Sequence, residues 1–224
     1  MINPAAERLL NFVADSITDI DRSCSTLLNE IEHGLVNVKL EFREQAQQQL
    51  SKKLTEEQLI AWLIFNRATS AGATVAWEQR YPHSTRQKCD LVFALSDTEK
   101  LWLELKIAWK AWFNCVGGPV NYNGVYLSYL QGANRSHSFQ QDFGKMNAGS
   151  WGPHDYRAIC LVGFDKANNP MDSEVAAVAH PFEGAAEPWV PVAKRHWLDR
   201  RCLDFRMNVW TWCCSPTASL TAGA

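Results

Sequence analysis

The sequence contains no run of 18 or more apolar residues, so no segment reads as a membrane-spanning helix. Its first residues, Met1-Ile-Asn-Pro-Ala-Ala-Glu-Arg8, lack a basic stretch leading into an apolar core, which predicts no secretion signal and a cytoplasmic protein. There is no GxxxxGK loop, so ATP hydrolysis is not expected, and no GxSxG elbow of the serine-hydrolase kind. The six histidines form no HxxxH or HxH pair. The seven cysteines (Cys24, Cys89, Cys115, Cys160, Cys202, Cys213 and Cys214) include no CxxC spacing. Both absences argue against zinc and iron–sulfur frameworks and leave the cysteines as reduced, small hydrophobes. The formal net charge of -2 argues against non-specific coating of nucleic acid, while leaving room for a local basic patch. No internal repeat and no domain linker is visible.

With 224 residues, the chain can bury one sizeable core, with or without a helical extension. Ten tryptophans are many for this length. Some belong in a core, and others could line a groove where flat rings stack on bases or a partner. Asn3-Pro4 reads as an N-cap followed by proline at the first helical position, opening a helix through about residue 33 that stops at Gly34. A second helix is expected over 35–53, although its first half also alternates as a strand would. Thr55-Glu-Glu-Gln58 has the form of a capping box and opens a helix to about Ala71, ended by Gly72. Strands follow over 73–80, 89–95 and 100–109. A Gly-, Asn- and Ser-rich region over 114–154 holds short helices near 125–131 and 137–147. A buried strand over 156–164, a helix over 172–179 and a strand over 203–213 complete the chain, which ends in a small, polar tail. This order predicts an α/β fold with a mixed β-sheet flanked by helices.

The stretch Lys88–Leu95, a polar turn at 96–99 and Lys100–Ile107 carry the chemistry. Side chains alternate along a strand, so Leu101, Leu103, Leu105 and Ile107 share one face and Trp102, Glu104 and Lys106 the other. An antiparallel neighbour would bring Asp90 toward Glu104 and Lys106. Two carboxylates held close repel unless one is protonated or a divalent cation lies between them. Mg²⁺ takes few protein carboxylates, keeps several waters and accepts phosphate oxygens. A protonated lysine beside it can stabilise a phosphorane-like transition state or position a water. The combination suits metal-assisted phosphodiester hydrolysis. The competing structural reading is an ordinary surface salt bridge on an edge strand, worth at most about 1 kcal/mol.

Asp90, thirteen intervening residues and then Glu104-Leu-Lys106 at the end of an apolar strand resemble the PD-(D/E)xK nuclease superfamily, which has the restriction-endonuclease-like fold. The order helix, three strands, helix, strand over residues 55 to about 165 is similar to that fold. Cys89 stands where many members have proline. The resemblance implies catalytic Asp90, Glu104 and Lys106, with Asp90 and Glu104 as ligands of Mg²⁺, for which Mn²⁺ substitutes. It implies a supporting acid from Glu78 or Glu57. For Glu57 the competing reading is a first-turn acid that favours the helix dipole. Gln140-Gln-Asp-Phe-Gly-Lys-Met146 resembles the helix that brings polar groups such as Gln140 and Lys145 to the substrate, and Arg80, Arg86 and Lys88 are candidate phosphate contacts. Lys194-Arg195 with Arg200-Arg201 is a second basic cluster, with solvated surface charge as its competing reading.

The implied domains are a helical extension over 1–53, packed on the core, a nuclease-like domain over 54–215 and a flexible tail over 216–224. The expected function is a Mg²⁺-dependent DNA endonuclease in restriction, defence, repair or mobile-element biology. The nucleic acid is its partner, and the N-terminal helices are a possible homodimer or protein contact. The alternative is a catalytically inactive module of the same fold that binds nucleic acid or protein. A more distant one is a different hydrolase using Glu104 with Glu78, which leaves Lys106 without a role.

Overall fold

In a computed structural model, residues 2–27, 48, 54–114, 118–121, 130–132, 138–185, 187–198 and 204–216 are described. Apart from residue 48, the helix expected over 35–53 lies outside them, as do the end of the first helix near Gly34, most of the helix expected near 125–131, His137, the Arg200-Arg201 pair and the tail beyond residue 216.

Helix α1 (Pro4–Leu27) starts as its sequence predicts: the Asn3 side chain accepts the Ala5 N–H at 2.7 Å. Helix α2 (Glu56–Ser70) opens on the full Thr55–Gln58 capping box. It ends where Gly72 takes φ +85, a conformation that costs glycine little. Strands β1 (Val75–Arg80), β2 (Lys88–Ala94) and β3 (Lys100–Trp109) form an antiparallel meander. A small hairpin, β4 (Ala111–Asn114) with β5 (Gly118–Asn121), leads toward helix α3 (Phe139–Ala148). Strand β6 (Asp155–Lys166), helix α4 (Asp172–Glu183) and strands β7 (Val190–Leu198) and β8 (Phe205–Cys214) follow.

The main sheet has the order β1-β2-β3-β6-β8-β7. Only β3 and β6 run parallel, and their connection carries the β4–β5 hairpin and α3. Each face of the sheet has its own apolar core. On one face, Leu10, Val13 and Ile17 of α1 and Leu59, Ala61 and Ile64 of α2 pack on Leu91, Phe93, Leu101, Leu103, Leu105 and Ile107. On the other, Phe139, Phe143 and Met146 of α3 and Val175 and Val178 of α4 pack on Val92, Trp102, Ile159, Leu161 and Trp212. The molecule is thus a mixed six-stranded sheet between helical layers, and β3 alternates between the two cores as its sequence pattern predicts. Helix α1 shares a core with the sheet, which occupies its apolar stripe.

Two elements escaped the sequence reading. The β4–β5 hairpin falls in what reads as loop. Strand β7 carries Pro191, which disfavours a central strand, but β7 is an edge strand with a register shift between Pro191 and Ala193, where proline is tolerated. The surface-salt-bridge reading of β3 is overturned. The strand lies inside the sheet, and Glu104 and Lys106 are each only 5% exposed. Cys89, Cys160, Cys213 and Cys214 are free and buried, and burial pushes each of their thiols up. Trp109 stacks on Phe164 with centroids 3.9 Å apart, which places it in packing. No helix among the described residues is long and apolar enough to cross a membrane.

Candidate active site

The site lies where β2 and β3 part. Their ladder runs from Ala94↔Lys100 to Leu91↔Leu103, a register that continues to Asp90 across from Glu104. Beyond that point, carboxylates take over the backbone donors of β3. The Asp90 Oδ2 accepts the Leu105 N–H at 2.8 Å, and the Glu57 Oε1 accepts the Ile107 N–H at 3.3 Å. Buried amides must be paired, and here the acids satisfy the donors that a straight hairpin would have satisfied with β2. The capped first turn of α2 delivers Glu57, which is thus a first-turn acid that also reaches the Ile107 N–H and Lys106.

Charges alternate across the site. The Lys106 Nζ lies 3.3 Å from Glu57 Oε1 and 3.3 Å from Asp142 Oδ2. The Lys145 Nζ lies 2.6 Å from Asp142 Oδ1 and 3.8 Å from Glu104 Oε1. The Tyr81 hydroxyl donates to Glu104 Oε1. Tyr81 is itself fixed by stacking between His83 and Trp102, with Trp151 edge-on. Gly149, just past α3, makes room for His83: a Cβ there would lie 2.0 Å from the imidazole.

Burial favours the neutral form of Asp90 and Glu104. Desolvation pushes the Asp90 carboxyl up to about 7, against the opposing pull of the Leu105 N–H, and Glu57 adds to the rise. Glu104 is likewise held above the usual carboxylate range, first by burial, with Lys145 opposing and Asp142 adding. For Lys106, burial alone would lower the ammonium, but Asp142 and Glu57 outweigh it and push it up to about 12. The two neighbouring carboxylates therefore favour the ammonium form of Lys106.

The structure places Glu104, Lys106, Glu57 and Lys145 in one set of ion pairs, with Asp90 on the neighbouring strand bonded to the Leu105 N–H. It adds Asp142 and Tyr81, which sequence reasoning passed over. Asp142 is 1% exposed. It sits in the buried stripe Phe139, Asp142, Phe143, Met146, and an acid at one position of an i, i+3, i+4, i+7 apolar pattern was the available signal. For Tyr81 no comparable signal exists. Gln140 is exposed and lies about 200° around α3 from Asp142, away from the acids. Glu78 takes φ +51 at the position facing Asp90, between the pairs Trp77↔Leu91 and Gln79↔Cys89. Its carboxylate accepts from Gln58 Nε2 at 2.6 Å and pairs with Lys88 at 3.3 Å. Arg80 and Lys88 are register partners at the exposed end of β1 and β2, and Arg86 is exposed in the loop joining those strands. Of the second basic cluster, Lys194 pairs with Asp172 at 2.6 Å and Arg195 with Asp15 at 2.8 Å, which gives both a structural use. His154 is exposed.

Among the described residues no group of three or more His, Cys, Asp or Glu side chains could hold a metal ion. Mg²⁺ does not need one, because it commonly takes one or two carboxylates and completes its shell with water and phosphate oxygens. The donor set fits such an ion. The β2–β3 register, continued by one residue, puts Asp90 opposite Glu104, and three carboxylates, Glu57, Glu104 and Asp142, share two ammonium groups, with Asp90 as a fourth acid beside them. Among the described residues, the buried Asp142 Oδ2 has no hydrogen bond and is met only by the Lys106 ammonium at 3.3 Å. No protein-family model, no curated protein and no solved structure matches this chain.

Proposed function

We propose that the protein is a Mg²⁺-dependent nuclease of the PD-(D/E)xK type, with a restriction-endonuclease-like core, that hydrolyses phosphodiester bonds in DNA. The observation that carries this reading is the parted β2–β3 hairpin, with Asp90 on one strand, Glu104 and Lys106 on the other, and the surrounding acids in excess over the lysines. Asp90 and Glu104 would hold the ion, which, when bound, polarises a phosphoryl oxygen and makes a bound water more acidic.

The protein's own residues do the rest. Lys106, held by Glu57 and Asp142, presents its ammonium charge to the negative charge that grows on the phosphoryl oxygens. Tyr81 fixes the orientation of Glu104. Arg80, Arg86 and Lys88 stand exposed near the start of β2, where a phosphate backbone can meet them. A panel of closed plasmid, linear duplex, single-stranded DNA and RNA, each with Mg²⁺, Mn²⁺ or EDTA, tests the reading. Metal-dependent cleavage of DNA is expected, and cleavage of none of the polymers would overturn it.

A second reading, a binding module of this fold without activity, draws on the Tyr81 and Lys145 groups that already engage Glu104 Oε1. In that case Mg²⁺ leaves the melting temperature unchanged.

A further inference from the structure

The position of Asp142 bears on how many ions the site can take. In two-metal phosphodiesterases the ions lie about 3.5–4 Å apart and share carboxylates. A second ion here would have to share Glu104 and draw a further ligand from the nearest acid outside the Asp90–Glu104 pair. That acid is Asp142, which is buried on α3 and has both oxygens facing ammonium groups: Oδ1 meets Lys145 at 2.6 Å and Oδ2 meets Lys106 at 3.3 Å. The Lys145 Nζ stands between Asp142 and Glu104, in the space such an ion would need. Glu57, the remaining acid, is engaged by Lys106 and the Ile107 N–H.

We propose that Lys106 and Lys145, tethered by Asp142, replace the second divalent cation, so that the site is built for one metal ion. The proposal rests on the metal-dependent reading above and extends it. The charge count of the metal-bound state agrees with it: with all four carboxylates ionised by the bound ion, two ammonium groups leave two negative charges, which one divalent ion neutralises. The two lysines differ in how firmly they are held. The Lys106 side chain is 6% exposed, whereas that of Lys145 is 29% exposed and sits at the rim. Lys145 is therefore the lysine whose removal opens Asp142 to an ion without opening the core.

The test is a Mn²⁺ titration of the full chain followed by electron paramagnetic resonance, with no nucleic acid present. The expected result is one Mn²⁺ per chain with a mononuclear spectrum. Lys145→Ala, which frees an Asp142 oxygen, should raise the count to two and produce the spin-coupled spectrum of a close pair. Two coupled ions in the unsubstituted protein would overturn the proposal while leaving the nuclease reading intact. An absence of bound Mn²⁺ would overturn both. A Lys145→Ala variant with unchanged count and spectrum would remove Lys145 from the role assigned to it.

Discussion

Lys106 has two carboxylate partners in a buried setting, and losing it leaves Asp142 and Glu57 short of positive charge. Breaking a buried pair from one side costs about 3–5 kcal/mol. Lys106→Ala should therefore lower stability in denaturant unfolding as well as abolish cleavage, whereas Glu104→Gln should abolish cleavage with little loss of stability. Asp90 makes a pH prediction. Its carboxyl rises from the ordinary 3.8 to about 7 because burial disfavours the charge. The folded state then binds this proton more tightly than the unfolded chain does. The contribution is fully present below about pH 4 and is lost as pH rises toward 7. Without metal, stability measured by urea unfolding should fall across that window, and Asp90→Asn should flatten the fall. A steeper fall in the variant would refute the assignment. The sequence shows Asp90, Glu104 and Lys106 directly, because charges on apolar strands stand out. It shows Glu57 only as a choice between two roles, since helix-end acids are common and contact depends on where α2 docks. Tyr81 is not legible at all, because an aromatic residue at a strand end looks like core.

At the scale of elements, the capping box of α2 matters because Glu57 sits in the turn it closes. Thr55→Ala removes the side-chain acceptor for the Gln58 N–H and should cost about 1 kcal/mol. Because it loosens the turn that aims Glu57 at Lys106, it should also reduce kcat more than it changes KM. An unchanged kcat would detach α2 from the chemistry. Helix α2 and the meander were legible for local reasons: Thr55–Gln58, Gly72 and the alternation of 100–107 each encode a nearby structural event. Strand β7 was not, because Pro191 is acceptable only at an edge, and edge position is a property of the whole sheet. Helix α3 was expected, but the inward face of Asp142 depends on reading a charged residue as part of an apolar stripe.

For the whole molecule, the two cores divide the work. One holds α1 and α2 against the sheet, and the other holds α3, which carries Asp142 and Lys145, against β6 and β8. Leu10 of α1 is fully buried in the first core, far in sequence from the site. Leu10→Ala should cost about 2–5 kcal/mol in unfolding experiments and leave kcat unchanged at temperatures where the variant is folded. Metal binding is also a property of the folded molecule. At 100 times its dissociation constant, Mg²⁺ should add about 2.7 kcal/mol, or on the order of 5–10 °C in melting temperature, and Asp90→Asn should erase most of the gain. The layered architecture followed from the order of helices and strands, but the pairing of β3 with β6 brings together residues some fifty positions apart, which no local pattern encodes.

The most direct measurement is nicking of covalently closed plasmid by the unsubstituted protein and by Asp90→Asn, each with Mg²⁺ and with EDTA. The expected result is relaxed circles only for the unsubstituted protein with Mg²⁺, and a loss of at least about a hundredfold in the variant. Equal nicking by both proteins, or nicking that persists in EDTA, would contradict the assignment of Asp90, Glu104 and Lys106 as a metal-dependent nuclease site.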